Sequence, residues 1–198
     1  RLYVNGYGSI LGRGELNLHG GQIINDKWST ATFLHGSMLQ TEIDRNKDQF
    51  RDVPLSKTLS ALNRWEYNGK RFESRFGVSA YTDERSGGQL NAVANRYDAQ
   101  TTNKHVDVFA KTGFLFPKKP FQSLGIVYQL KAHEFVSNFD QRTVKSTEKR
   151  AYVNAIFDGI IGTTIHKYKV GASLVYQDLQ QGLDTIAMNR VVTTPGVF

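Results

Sequence analysis

The run Asp44-Arg45-Asn46-Lys47-Asp48-Gln49-Phe50-Arg51-Asp52 is the sharpest chemical constellation in the chain. Oxygen-bearing side chains at its first, third, fifth and ninth positions, with a backbone carbonyl at Phe50 for the seventh, reproduce most of a calcium loop of the D-x-N-x-D kind. Asp44, Asn46, Asp48 and Asp52 are therefore the candidate ligands, and calcium is the candidate ion. Two elements of such a loop are missing. Gln49 stands where the turn glycine belongs, and Leu55 occupies the twelfth place, where a bidentate Glu is expected. Arg45, Lys47 and Arg51 also offset the carboxylates. The same residues compose an Asx-rich turn in a solvated loop equally well.

Other chemistry is sparse. Gly6-Tyr7-Gly8 followed by Gly12 is one residue too long for a dinucleotide fingerprint and sits in a strand-like context. There is no Walker lysine, no G-x-S-x-G elbow and no H-E-x-x-H motif. His19, His35, His105, His133 and His166 show no metal-ligand spacing along the sequence and read as polar-face and loop residues. Without cysteine, a disulfide framework, a thiolate zinc site and a cysteine nucleophile are excluded. The chain is accordingly not expected to be an enzyme. Its net charge of +7 is scattered over turns, loops and one strand face, without a basic helix or an RNA-binding motif, so no nucleic-acid partner is expected.

Alternation dominates the elements that would carry these residues. Val106, Val108, Ala110, Thr112, Phe114 and Phe116 fall on one side of an extended chain, against Asp107, Phe109, Lys111, Gly113 and Leu115. The pattern recurs over 123–132, 152–161 and 168–177, and more loosely over 16–24 and 72–80. The stretch 28–39 alternates poorly and is assigned as a strand from its position. Turn-like sequences at 25–27, at Asn68-Gly69, at 117–120 and at 163–165 alternate with long polar stretches, at about 40–57, 82–104, 133–148 and 177–195, which read as loops. The Asn68-Gly69 pair predicts a two-residue type I′ turn. That turn would place Trp65 opposite Phe72, Arg64 opposite Glu73 and Glu66 opposite Arg71.

The result is an all-β, antiparallel up-and-down meander with one apolar face. The other face carries Arg64, Glu66, Glu73, Arg75, Asp107, Lys111, Lys131, Asp158 and Lys169. A soluble barrel turns the apolar face inward, whereas an outer-membrane barrel turns it to lipid around a wet lumen. Three features favour the membrane. The alternating runs match a tilted spanning strand of about 9–11 residues. Aromatics gather beside the short turns (Trp28, Trp65, Tyr67, Phe72, Phe116, Phe121, Tyr168), where an interfacial girdle sits. Short turns at one end and long loops at the other complete the pattern. A mean hydropathy of −0.42 then reflects a wet lumen and polar loops, not a water-soluble domain.

The segment from Arg150 to Gly171, with Phe50-Arg51-Asp52-Val53-Pro54-Leu55, Asn63-Arg64-Trp65 and the Asn25-Asp26-Lys27 turn, resembles the barrel domain of TonB-dependent outer-membrane receptors. The cobalamin- and siderophore-receptor-like branch found in Bacteroidota is the nearest in character. The resemblance implies a transmembrane β-barrel of which this chain is a part, about nine to ten strands, without the plug domain. It implies active uptake of a scarce bulky nutrient, such as a siderophore-iron complex or cobalamin, at the cell outer membrane of a Gram-negative bacterium. Implied partners are outer-membrane lipid and lipopolysaccharide, the receptor's own plug domain, the TonB complex acting through that plug, and a surface lipoprotein. Cobalamin receptors of this kind bind calcium through loop aspartates, which lends weight to Asp44, Asn46, Asp48 and Asp52. An opening at Arg1 and a close at Gly196-Val197-Phe198 fit a fragment. The alternatives are a small complete outer-membrane barrel acting as a passive pore or adhesin, and a soluble lipid-binding β-barrel.

Overall fold

A computed structural model describes residues 1–198. The chain forms ten strands: β1 (Leu2–Gly8), β2 (Arg13–Ile23), β3 (Trp28–Leu39), β4 (Leu55–Asn68), β5 (Phe72–Gly88), β6 (Asp98–Leu115), β7 (Ser123–Phe139), β8 (Arg142–Ile161), β9 (Thr163–Leu183) and β10 (Ile186–Val197). They make one antiparallel sheet in chain order, each strand paired with its sequence neighbours. The sheet is open, so β1 and β10 each leave one edge unpaired. Of 142 backbone hydrogen bonds, 123 lie within this ladder, which is therefore the main cohesive element of the structure.

Register carries the alternation of single strands into a property of the whole sheet. Ala110 lies opposite Phe76 and Tyr128, Tyr128 opposite Val153, and Val153 opposite Leu174. Directly paired residues share a face, so the apolar positions of β5 to β9 form a continuous surface. The charged face aligns in the same way, with Lys169 bonded to Asp158 at 3.0 Å and Arg75 to Glu66 at 2.9 Å. Only 8 of 198 residues are buried, because a single layer has two surfaces and no interior.

Three expectations need correction. The long polar stretches are mostly strand: 133–148 is the end of β7 and the start of β8, joined through Asp140 and Gln141, and 177–195 is β9 and β10, joined through Asp184 and Thr185. Asp140 (φ 54°) and Asp184 (φ 52°) take the left-handed conformation these tight turns need, which aspartate tolerates better than most residues. Of 82–104, only 89–97 lies between strands, while 40–54 connects β3 to β4 largely as expected. These segments lack continuous apolar alternation, because polar residues such as Glu134, Lys145, Ser146 and Glu148 interrupt both faces, yet the ladder extends through them.

The second correction concerns the β4–β5 hairpin. Asn68 pairs with Glu73, the turn runs over 69–72, and Gly69 N–H donates to the Phe72 carbonyl at 3.0 Å. Neither Asn68 nor Gly69 has positive φ, so the type I′ turn is not adopted. Trp65 faces Phe76, Glu66 faces Arg75 and Arg64 faces Gly77. The shift preserves parity, so each side chain keeps its face. Neighbouring strands select it: Asn68 N–H donates to the Lys27 carbonyl at 2.8 Å, and Tyr67 packs between Trp28 (4.9 Å) and Phe72 (4.7 Å). Third, the chain reverses at Gly162 (φ 72°), just before the expected 163–165.

Arg64 loses its acidic partner, but the glycine now opposite it has its own role. A Cβ at Gly77 would lie 2.9 Å from Phe109 Cζ and 2.5 Å from the Asn63 carbonyl oxygen, so the Phe109 ring covers the bare backbone there. Gly77→Val should destabilise the sheet by about 1–3 kcal/mol through overpacking. A denaturant titration of the two proteins in the same medium, followed by tryptophan fluorescence, measures the difference.

Candidate functional site

The run 44–52 turns its oxygens onto its own backbone. Asp44 accepts from Asp48 N–H (3.3 Å) and Gln49 N–H (3.0 Å), and Asp48 accepts from Phe50 N–H (2.8 Å). Asp52 accepts from Arg45 N–H at 2.9 Å, and the Asn46 amide nitrogen donates to Asp48 at 2.9 Å. Lys47 (φ 61°) and Gln49 (φ 70°) take left-handed conformations inside this turn. No group of three or more His, Asp or Glu side chains is arranged to hold a metal ion. Asp44, Asn46, Asp48 and Asp52 thus share one Asx-rich turn, with their side-chain oxygens hydrogen-bonded within the loop itself.

Arg51 is the residue that the sequence pattern undervalues. In the sequence pattern it only offsets the carboxylates, yet its side chain is 1% exposed and joins two loops that are distant in sequence. Its guanidinium donates to Glu42 at 2.9 Å, to the Gly87 carbonyl at 2.8 Å and to Asn91 Oδ1 at 2.8 Å, with Asp98 at 3.7 Å. Backbone bonds run alongside: Arg51 N–H to the Gly88 carbonyl (2.9 Å) and Leu90 N–H to the Gln49 carbonyl (2.9 Å). Loops 40–54 and 89–97 are thereby fastened into one structure at the end of the sheet away from the short turns. A buried guanidinium is tolerated because its donors are met by carboxylate and carbonyl oxygens. No spacing rule signals this, since Gly87 lies at the end of β5, Asn91 and Asp98 lie beyond it, and only Glu42 shares the loop of Arg51.

On the apolar face, hydrophobicity is confined to a band. It covers Val106–Phe114, Leu124–Ala132 and Tyr168–Tyr176, about nine residues per strand and the length of a tilted membrane span. Val106 (48%), Leu130 (59%) and Val170 (51%) stand exposed with nothing packed over them. At the short-turn end the band closes in a line of rings. Trp28 meets Trp65 (6.2 Å), Phe72 meets Phe114 (6.2 Å), and Phe157 meets Phe116 (6.4 Å) and Tyr168 (6.2 Å). At the other end it stops at cross-strand pairs of opposite charge: Lys57 opposite Glu84, Lys104 opposite Glu134, and Lys149 opposite Asp178. Beyond these pairs polar residues prevail, with exposed apolar side chains such as Phe139, Ile186 and Met188 among them. Strands of 17 to 21 residues span about 55–70 Å at ~3.3 Å per residue, well beyond a ~30 Å hydrocarbon core.

No family model matches the chain, and no curated protein or solved structure matches it either.

Two predictions follow from the loop clasp. Arg51→Met removes the shared donor and leaves acceptors facing apolar atoms, at a local cost of roughly 1–3 kcal/mol; limited proteolysis should then cut within 40–54 and 89–97 faster than in the parent chain. The clasp should also loosen in acid. The Asn91 backbone N–H, followed by the Arg51 guanidinium, holds the Glu42 carboxyl below its usual range, so the ionised form is the one the fold binds. Its contribution is complete above the ordinary Glu pKa and is lost as pH falls through the lowered folded value. Glu42→Gln should remove most of the acid-induced increase in hydrogen exchange at Asn91, and an unchanged acid response would place its origin elsewhere.

Proposed function

We propose that this chain is part of the wall of a TonB-dependent outer-membrane receptor, with its apolar face toward lipid and its charged face lining a wet lumen. The observation that carries the reading is the apolar band: exposed, about one bilayer core in height, and bounded by aromatic rings on one side and charge pairs on the other. Ten strands with two free edges supply part of a barrel, and further strands would close it. The polar extensions and the fastened loops at the opposite end from the rings form the mouth that meets a scarce, bulky nutrient such as a siderophore-iron complex or cobalamin. Uptake would require a plug domain and the TonB complex acting through it. Lipopolysaccharide and other outer-membrane lipids would cover the band, and a surface lipoprotein would meet the extracellular ends.

A second reading, a smaller barrel acting as a passive pore or adhesin, uses the same band and girdle but needs β10 to meet β1. A soluble lipid-binding barrel with the apolar face inward is disfavoured by the row of rings, which has the form of an interfacial belt.

Ala155 and Ala172 are paired across β8 and β9 within the band. Arg at either position should cost about 2–4 kcal/mol at midplane depth, reducing the amount of protein in the outer-membrane fraction of cells expressing the complete gene. Arg in place of Ser146, on the polar face of the extension, should leave that amount unchanged. Normal membrane recovery of both alanine variants would overturn the assignment of faces.

A further inference from the structure

His35, His105 and His133 are scattered in sequence, but the register brings them into a single cross-sheet row on the polar face. The row runs His35, Ser60, Tyr81, His105, His133, Glu148. His105 and His133 are directly opposite each other on β6 and β7. The type of this pair follows from the hydrogen bonds at the end of the ladder. Asp140 N–H donates to the Asp98 carbonyl at 2.8 Å. The unbroken register then makes the even-numbered residues of β6 the hydrogen-bonded pairs with β7 and the odd-numbered residues the others. His105 and His133 are therefore a non-hydrogen-bonded pair, the class with Cα atoms ~4.5 Å apart and side chains closest.

A second observation concerns the protons. His133 Nε2 lies 2.7 Å from Asn103 Oδ1. The amide oxygen only accepts, which assigns the hydrogen to Nε2 and, in the neutral ring, leaves the lone pair on Nδ1. A ring nitrogen bonded to a fixed oxygen, leaving the other nitrogen free to ligate, is how proteins orient metal-binding histidines. His105 has no hydrogen-bond partner of its own and only a ring neighbour in Tyr81, at 6.2 Å. Two residues along on the same face, Asp107 carries a carboxylate oxygen that is buried and without a hydrogen-bond partner. It lends negative potential to the site. Lys131, opposite Asp107, opposes it, but its ammonium is also 3.9 Å from Glu148.

We infer that His105 and His133 form a two-imidazole chelate for a divalent transition-metal ion, with water completing the coordination. Imidazole donors select Zn²⁺, Cu²⁺ or Ni²⁺ over calcium or magnesium, which take oxygen ligands. The site is independent of the 44–52 loop and of what covers the apolar face. If the receptor reading holds, it places a metal-seeking pair on the lumen wall.

The test is a Cu²⁺ titration of the tag-free full chain in detergent micelles, read by calorimetry and electron paramagnetic resonance, with Zn²⁺ as a competitor. A single bound equivalent is expected, with hyperfine coupling from two imidazole nitrogens and displacement by Zn²⁺. His105→Ala and His133→Ala should each weaken binding by about tenfold or more and remove one nitrogen coupling, and Asn103→Ala should weaken it by a smaller factor. His166→Ala, in the part of β9 beside the short turns, should change nothing. If an alanine variant loses the sheet signature in circular dichroism, His105→Gln and His133→Gln take its place. Wild-type affinity in folded variants of both histidines, or no bound equivalent in the parent chain, overturns the inference.

Discussion

One antiparallel ladder, constant in parity over the nine strand pairs from β1 to β10 except at one extreme end, is the constraint on which this structure depends. A single layer has no interior in which to bury apolar side chains, and only Leu39 and Ala110 among the hydrophobic residues are buried. Cohesion between strands comes from backbone hydrogen bonds and from side chains meeting across them. A one-residue slip anywhere would move apolar residues to the charged face of all strands beyond it. The one irregularity, at Ile160 and Ile161, lies at the extreme end of the β8–β9 ladder, where little follows that it could displace.

That parity explains why the corrected hairpin leaves the architecture intact. Trp65 meets Phe76 and not Phe72, but both partners lie on the apolar face, and Glu66 finds Arg75 on the other. The Asn68-Gly69 signal describes an isolated hairpin, whereas this one is held from both flanks. The turn before β3 supplies the Lys27 carbonyl, β3 supplies the Trp28 ring, and Phe72 is already committed to Phe114 on β6. Local turn preference yields to several cross-strand contacts acting together, each worth about 0.2–1 kcal/mol.

The polar extensions of β5 to β9 follow a different logic. With neither face buried, a strand such as Lys145-Ser146-Thr147-Glu148-Lys149 has no hydrophobic periodicity to reveal it. It persists because pairing begun in the apolar band continues outward, as in the β7–β8 ladder, which runs without a shift to Phe139 and Arg142. Specificity there comes from complementary charges and from tight Asp turns. The Arg51 clasp stiffens the two connections too long to close as hairpins. The end of the sheet away from the rings is thus held by strand pairing and is rich in polar residues.

Alternation in the sequence determined the class of structure, the central strands, which residues share a face and where the aromatic rings gather, because each depends only on neighbours within one strand. The extent of the strands, the 69–72 turn, the charge pairs that end the apolar band and the Arg51 clasp were decided only by the tertiary structure. So was the meeting of His105 with His133. These features depend on register between residues far apart in the chain, and register is set by the sum of contacts across several strands at once. The spacing of the four oxygens of 44–52 was likewise legible in the sequence, whereas the amides that Asp44 and Asp48 accept from were decided by the folded loop.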